Sequence, residues 1–310
     1  MTRTPLLIDT DPGVDDALAI LMAHAHADVL ALTIAAGNVG LSHTVGNALK
    51  LLDVLGAATP VFAGCARPLV QPAEDAAFVH GLDGFGDTGY LPSARSADPE
   101  DAASAIVRLA RAHAGGLTLV ALAPLTNLAL ALKLDPALPQ RVARLVIMGG
   151  AVTGRGNTQR VPAEFNIAFD PEAAHAVFSA WPHFTLVDWE LTMRHGIAFE
   201  RVARWLATDD ARAGFYAAIS RKTRDWTVRR GRERLLVADA LAMAVALQPD
   251  IVLRSAEHHV AIELAGTLTR GATVVDWDDR TGAAANAQIV LDVDQRRFEA
   301  LIAAALGADD

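Results

Sequence analysis

The stretch Asp9-Thr10-Asp11-Pro12-Gly13-Val14-Asp15-Asp16 places four carboxylates within eight residues, directly behind the apolar run Pro5-Leu6-Leu7-Ile8. Ionised carboxylates crowded in this way repel one another, and burying them without partners is costly. A raised pKa, a set of hydrogen-bond donors or a bound cation relieves the repulsion. No lysine or arginine occurs between Arg3 and Lys50 to act as a local counter-charge. An all-oxygen donor set suits a hard divalent ion such as Ca²⁺ or Mg²⁺. The plain alternative is a strand–turn–helix whose acidic first turn is simply solvated.

Residues that converge on such a cluster must be carried there by regular elements. Apolar strand-like runs alternate with helical patterns through the first 190 residues. Leu6–Ile8 leads to a helix from Val14 to about His26, then Val29–Ala35 and a helix capped by Ser42. Pro60–Ala63, Leu117–Leu122 and Arg144–Met148 continue the strands. Asp98-Pro99 and Asp170-Pro171 open helices in the favoured N-cap and N1 positions. Beyond residue 190 the pattern is mainly helical, ending with strand-like Val260–Leu264, Thr273–Val275 and Ile289–Val293 and a last helix. This alternation predicts an α/β fold in one domain, residues 1–310, with a mostly parallel Rossmann-like sheet flanked by helices and a more helical C-terminal half. In such sheets ligands bind at the carboxyl ends of the strands, where Asp11, Asn38, Leu122 and Met148 fall. Residues 65–97 and 149–168, rich in Gly and, in the first, Pro and Asp, are loops long enough to be functional.

Composition narrows the classes. The chain has 310 residues, is 52% hydrophobic and 20% charged, and carries a net charge of -9. Such a balance predicts a globular protein with no nucleic-acid or anionic-membrane partner. The single cysteine, Cys65, excludes a disulfide framework and a multi-cysteine metal site. Met1–Leu7 lacks the apolar core of a signal peptide. Pro124, Thr126 and Asn127 interrupt the most apolar run, Leu117–Leu134, so a cytoplasmic protein without a membrane span is expected.

DTDPGVDDALAI resembles the N-terminal signature of the nucleoside hydrolases, Ca²⁺-dependent N-ribohydrolases. The resemblance continues through Ala36-Gly37-Asn38-Val39, His80-Gly81-Leu82-Asp83-Gly84, Pro124-Leu125-Thr126-Asn127, Met148-Gly149-Gly150, Gly156-Asn157 and Ala163-Glu164-Phe165-Asn166. Asp239, opening the apolar helix Ala240–Leu247, is similar to the family's last metal aspartate. The resemblance implies that Asp11, Asp16, Asp239 and the Leu122 carbonyl hold Ca²⁺, with Asp11 as general base. Asp15 then bonds a ribose hydroxyl, and Asn38, Met148, Asn157, Glu164 and Asn166 cradle the sugar. A small ribonucleoside substrate and a homodimer or homotetramer are implied as well.

One departure stands out. Many family members carry a histidine just before the last metal aspartate to protonate the leaving base; here that position is Ala238. His80 is an alternative acid, and Trp226, thirteen residues before Asp239, is placed to stack on the base. A substrate with a better leaving group is the third possibility. Arg221–Arg234 holds seven basic residues, a local inversion in an acidic chain, and reads as a solvated helix face, a subunit contact or the partner of an anionic substrate group. Two rival functions remain open. A haloacid-dehalogenase-like phosphatase also uses a strand followed by Asp-x-Asp, but Gly13 stands where Thr or Val is usual and its later motifs are missing. A nucleoside-binding protein with weak or lost catalysis would fit the loss at Ala238, though it has no need of Asp11.

Overall fold

A computed structural model describes residues 4–309. Met1–Arg3, part of the stretch read for a leader, and Asp310 lie outside the described residues. The strands run β1 (Pro5–Thr10), β2 (Asp28–Ile34), β3 (Val61–Ala63), β4 (Leu117–Ala121), β5 (Val142–Met148) and β6 (Phe184–Val187). They continue with β7 (Ile197–Ala198), β8 (Arg234–Leu235), β9 (Val252–His258), β10 (Val260–Ile262), β11 (Thr273–Val275) and β12 (Ala287–Val293). Eight form one sheet in the order β3-β2-β1-β4-β5-β6-β12-β9, parallel except for the pair β12–β9. The expected α/β class with a mostly parallel sheet is the one found.

The apolar run of β1 explains its central place. Leu6 and Ile8 face one apolar layer and Leu7 the other, as the two-residue period of a strand requires. Residues 6–10 are all buried, as expected where helices cover both faces of a parallel sheet. Helices Val14–His26, Ala238–Leu247 and Gln295–Ala305 pack into the first layer. Helices Ala102–Ala112, Thr126–Leu134 and Pro171–Ala180 fill the second. Ala238–Leu247 is buried from Ala238 to Ala246, so its apolar character all round fits an interior helix. It packs beside Val14–His26, and this brings the first turns of both helices, with their aspartates, together.

Several boundaries differ from the sequence reading. The helix expected from Asp98 starts at Ala102, because Asp101 is the better cap: its carboxylate accepts from Ser104 N at 3.0 Å and Ser104 Oγ at 2.6 Å. Gly40, not Ser42, caps Leu41–Leu55, since its carbonyl already receives His43 N and Thr44 N. β10 and β11 form a separate antiparallel pair rather than extending the large sheet. β9 escaped notice because its mostly exposed or half-buried edge position needs no apolar pattern. Among the described residues no helix is long and apolar enough to cross a membrane.

Candidate functional site

β2, β1, β4 and β5 are neighbours, and the chain winds outward in opposite directions from β1 and β4. The crevice at their carboxyl ends is the switch point where ligands of such sheets bind. Asp11 follows β1, Leu122 follows β4, and Met148 ends β5, while Ala36–Asn38 follow β2.

Asp15, Asp16 and Asp239 each offer a carboxylate oxygen, and these oxygens lie within 4.8 Å of one another. All three sit in the first turns of helices Val14–His26 and Ala238–Leu247, where the helix dipole favours negative charge. Asp16 is held by four donors. Thr10 Oγ1 at 2.5 Å and Asp11 N at 3.2 Å donate to Oδ1; Gly13 N at 3.0 Å and Asn38 Nδ2 at 2.9 Å donate to Oδ2. Asp11 lies beside this trio. Its Oδ2 accepts Asn38 N at 2.6 Å, and a Cβ on Gly37 would stand 2.1 Å from that oxygen, so only glycine lets the backbone approach.

The cluster is electrostatically incomplete. Burial, then repulsion from neighbouring aspartates, raises the Asp11 and Asp239 carboxyls well above the usual range. Burial also lifts Asp15 to about 6, against the N–H groups of Asp239 and Ala238 that hold it down. None of the ion pairs among the described residues involves Asp9, Asp11, Asp15, Asp16 or Asp239. Buried, repelling oxygens without a counter-cation fit a hard divalent ion.

A cavity of about 200 Å³ opens above these carboxylates. Asp15, Asn38, His80, Leu122, Met148, Asn157, Glu164, Asn166, Trp226 and Asp239 line it, so ten of the residues singled out in the sequence converge there. Asp11 and Asp16 stand behind them through Asn38. Asn166 Nδ2 ties two strand ends together, donating to Leu122 O at 2.7 Å and Met148 O at 3.2 Å. Glu164 caps the helix Phe165–Phe169 and accepts the N–H groups of Gly150, Asn166 and Ile167 at 3.0–3.2 Å. Its burial outweighs these donors and raises its carboxyl from 4.5 to about 7. An acid with a raised folded-state pKa destabilises the fold as it ionises, so its share of stability falls as pH rises from 4.5 to about 7. Glu164→Gln should therefore flatten the pH dependence of the urea midpoint between about pH 4.5 and pH 7. An unchanged slope would mean that Glu164 stays charged throughout.

His80 Nδ1 accepts Val14 N at 3.1 Å, which assigns the ring proton to Nε2. Burial lowers this imidazole to about 4. Trp226 lies 6.2 Å from Phe78, centroid to centroid, with the Arg230 guanidinium 4.6 Å above its ring. Phe165, quoted above only as part of a motif, lines the cavity too, as do Phe78, Trp189, Tyr216, Thr223 and Thr227, which escaped the sequence reading. Thr223 and Thr227 were within reach of it, since their i, i+3 and i+4 spacing with Trp226 puts them on one helix face. Trp189, just past the end of β6, carried a similar positional signal.

The model of the inosine-uridine preferring nucleoside hydrolase family matches residues 6–300. The chain belongs to this family. It is a ribonucleoside hydrolase, acting on N-glycosyl bonds, and the phosphatase reading is set aside. It is 39% identical over 300 residues to the non-specific ribonucleoside hydrolase RihC of Klebsiella pneumoniae, covering 96% of each chain. Over 313 residues it is 35% identical to the inosine-uridine preferring nucleoside hydrolase of Leishmania major, covering 97% of this chain and 96% of that one. The solved inosine-guanosine nucleoside hydrolase superposes with a TM-score of 0.92 at 33% identity, covering 99% of both chains. In this nucleoside hydrolase, then, Asp15 and Asp239 of the acidic trio face one cavity with the aromatic wall, and Asp16 stands behind them.

Proposed function

We propose that residues 1–310 act as one Ca²⁺-dependent ribonucleoside N-ribohydrolase domain, releasing ribose and free base, in which base departure proceeds without a histidine at position 238. The observation that carries this reading is the trio Asp15, Asp16 and Asp239, without a counter-cation, of which Asp15 and Asp239 reach the wall of a cavity lined elsewhere by aromatic rings. The trio would hold the ion, with Asp11 and the Leu122 carbonyl contributing as the family resemblance implies. When bound, such an ion supplies Lewis acidity and oxygen coordination.

The remaining roles belong to the chain's own residues. Asp11 accepts a proton from the attacking water, kept in place by its hydrogen bond from Asn38 N. Asn38, Met148, Asn157, Glu164 and Asn166 orient the ribose, and Asp15 binds a hydroxyl. The carboxylates also stabilise positive charge on the sugar as the C1′–N bond opens. Ala238, buried at the cavity wall, has no proton to give. Among the described lining residues His80 is the one histidine, and with Nδ1 occupied by Val14 N it is a neutral hydrogen-bond donor through Nε2. Base departure then relies on stacking at Trp226 and on the leaving ability of the base itself. Assembly as a homodimer or homotetramer and a cytoplasmic location belong to the same reading.

Ala238→His tests the leaving-group claim. Turnover of inosine, adenosine, guanosine, uridine and cytidine is compared with that of a p-nitrophenyl riboside, whose leaving group needs no proton. The variant should raise at least one nucleoside rate by about tenfold and leave the p-nitrophenyl substrate unchanged. Equal changes on both kinds of substrate would contradict it.

A further inference from the structure

The seven basic residues of Arg221–Arg234 separate sharply in space. Lys222 pairs with Asp87, Arg224 donates to Ser220 Oγ and Ala217 O, and Arg234 donates to Gly196 O. Arg221, Arg229 and Arg230 are exposed and Arg232 is half-buried. Only Arg230 and Arg232 line the cavity. Each stacks on a tryptophan that also lines it: Arg230 at 4.6 Å over Trp226, and Arg232 at 5.8 Å over Trp189. Neither has a carboxylate partner among the described residues.

Two like charges set side by side without counter-charge repel, and burial of the half-buried Arg232 together with Arg230 lowers its pKa. Nothing in the core requires this arrangement, since five other basic residues of the same run are solvated or paired. The cavity is thus polarised, with carboxylates where the sugar would lie and guanidiniums against the aromatic rings where the base would lie. Planar guanidiniums match the paired oxygens of a carboxylate or the conjugated edge of a deprotonated heterocycle.

We propose that Arg230 and Arg232 form a subsite for an anionic base, so that the preferred substrate class is ribonucleosides whose base carries negative charge at neutral pH. The proposal rests on the hydrolase reading above. In the step it serves, a water oxygen bonds to C1′, the C1′–N bond breaks, and its electron pair passes to the base. The water gives its proton to Asp11, and solvent reprotonates the departed base. A base that is already anionic gains further negative charge in this step, and the two guanidiniums offset it without transferring a proton.

The test compares two pairs that differ in charge on the base, orotidine with uridine and xanthosine with inosine at pH 8. For each pair the ratio of kcat/KM, anionic over neutral, is measured for the native enzyme and for Arg230→Gln/Arg232→Gln. Loss of two charge-assisted contacts should lower at least one ratio by about ten- to hundredfold, and high salt should lower it in the native enzyme as well. Ratios unchanged within about threefold in both pairs, or no turnover of either anionic substrate while uridine and inosine are cleaved, would overturn the subsite and leave the hydrolase reading intact. Absence of turnover on all four would instead count against the hydrolase reading and, with it, the proposal built on it.

Discussion

Asp239→Asn should lower kcat/KM for any cleaved nucleoside by roughly 10³-fold, one of the two largest effects expected of a single substitution here. The substitution is nearly isosteric, so packing in the buried first turn of Ala238–Leu247 is kept. What it removes is one charge from a trio whose oxygens lie within 4.8 Å of one another. A bound divalent ion is worth several kcal/mol of barrier lowering, and each ~1.4 kcal/mol is tenfold in rate. The same change relieves repulsion from Asp15, Asp16 and Asp11, which raises the Asp239 carboxyl in the native chain. Hence the metal-free variant should melt a few °C above the metal-free native protein while losing activity. A structural aspartate would behave oppositely, with stability falling alongside activity. Thermal melts in chelator, read beside ribose release, separate the two.

Asp11→Asn should cost about 10²- to 10⁴-fold in kcat with little change in KM, the range of a lost general base. Asparagine retains an oxygen to accept Asn38 N, the contact that Asp11 Oδ2 makes at 2.6 Å, so the loop after β2 need not move. Asp11 lies beside the trio rather than within it. The variant should therefore bind Ca²⁺ more tightly than Asp239→Asn does, and isothermal titration of the two variants measures the difference. Equal loss of Ca²⁺ affinity would make Asp11 chiefly a ligand. A raised KM at unchanged kcat would remove it from proton transfer.

Much of this was readable from the chain. The run Pro5–Ile8 followed by Asp9–Asp16 already carried a buried strand, its turn and the charged helix start, because burial on both faces leaves an unbroken apolar signature. Asn38, Leu122 and Met148 could be placed at one edge of the sheet by alternation alone. Asp239 was conspicuous as the one charge in an otherwise apolar helix. What resisted reading depends on tertiary packing. Asp15 and Asp16 are adjacent in sequence, and only the crossing of Val14–His26 with Ala238–Leu247 brings both to Asp239. Phe78 lies in the four-residue helix Ala77–His80, too short for a helical period to mark the side that faces the cavity. The tautomer of His80 is fixed by a backbone N–H sixty-six positions away, at Val14. Within Arg221–Arg234 charge density alone could not say which two of seven residues line the cavity.

The central claim is that the acidic trio works by holding a divalent ion needed for N-glycosyl hydrolysis. The most direct measurement is ribose release over the five common ribonucleosides by enzyme stripped with chelator, then titrated with Ca²⁺. Turnover should vanish on stripping and return as one ion binds per chain, with no recovery in Asp239→Asn. Undiminished turnover by protein that elemental analysis finds free of metal would contradict the claim.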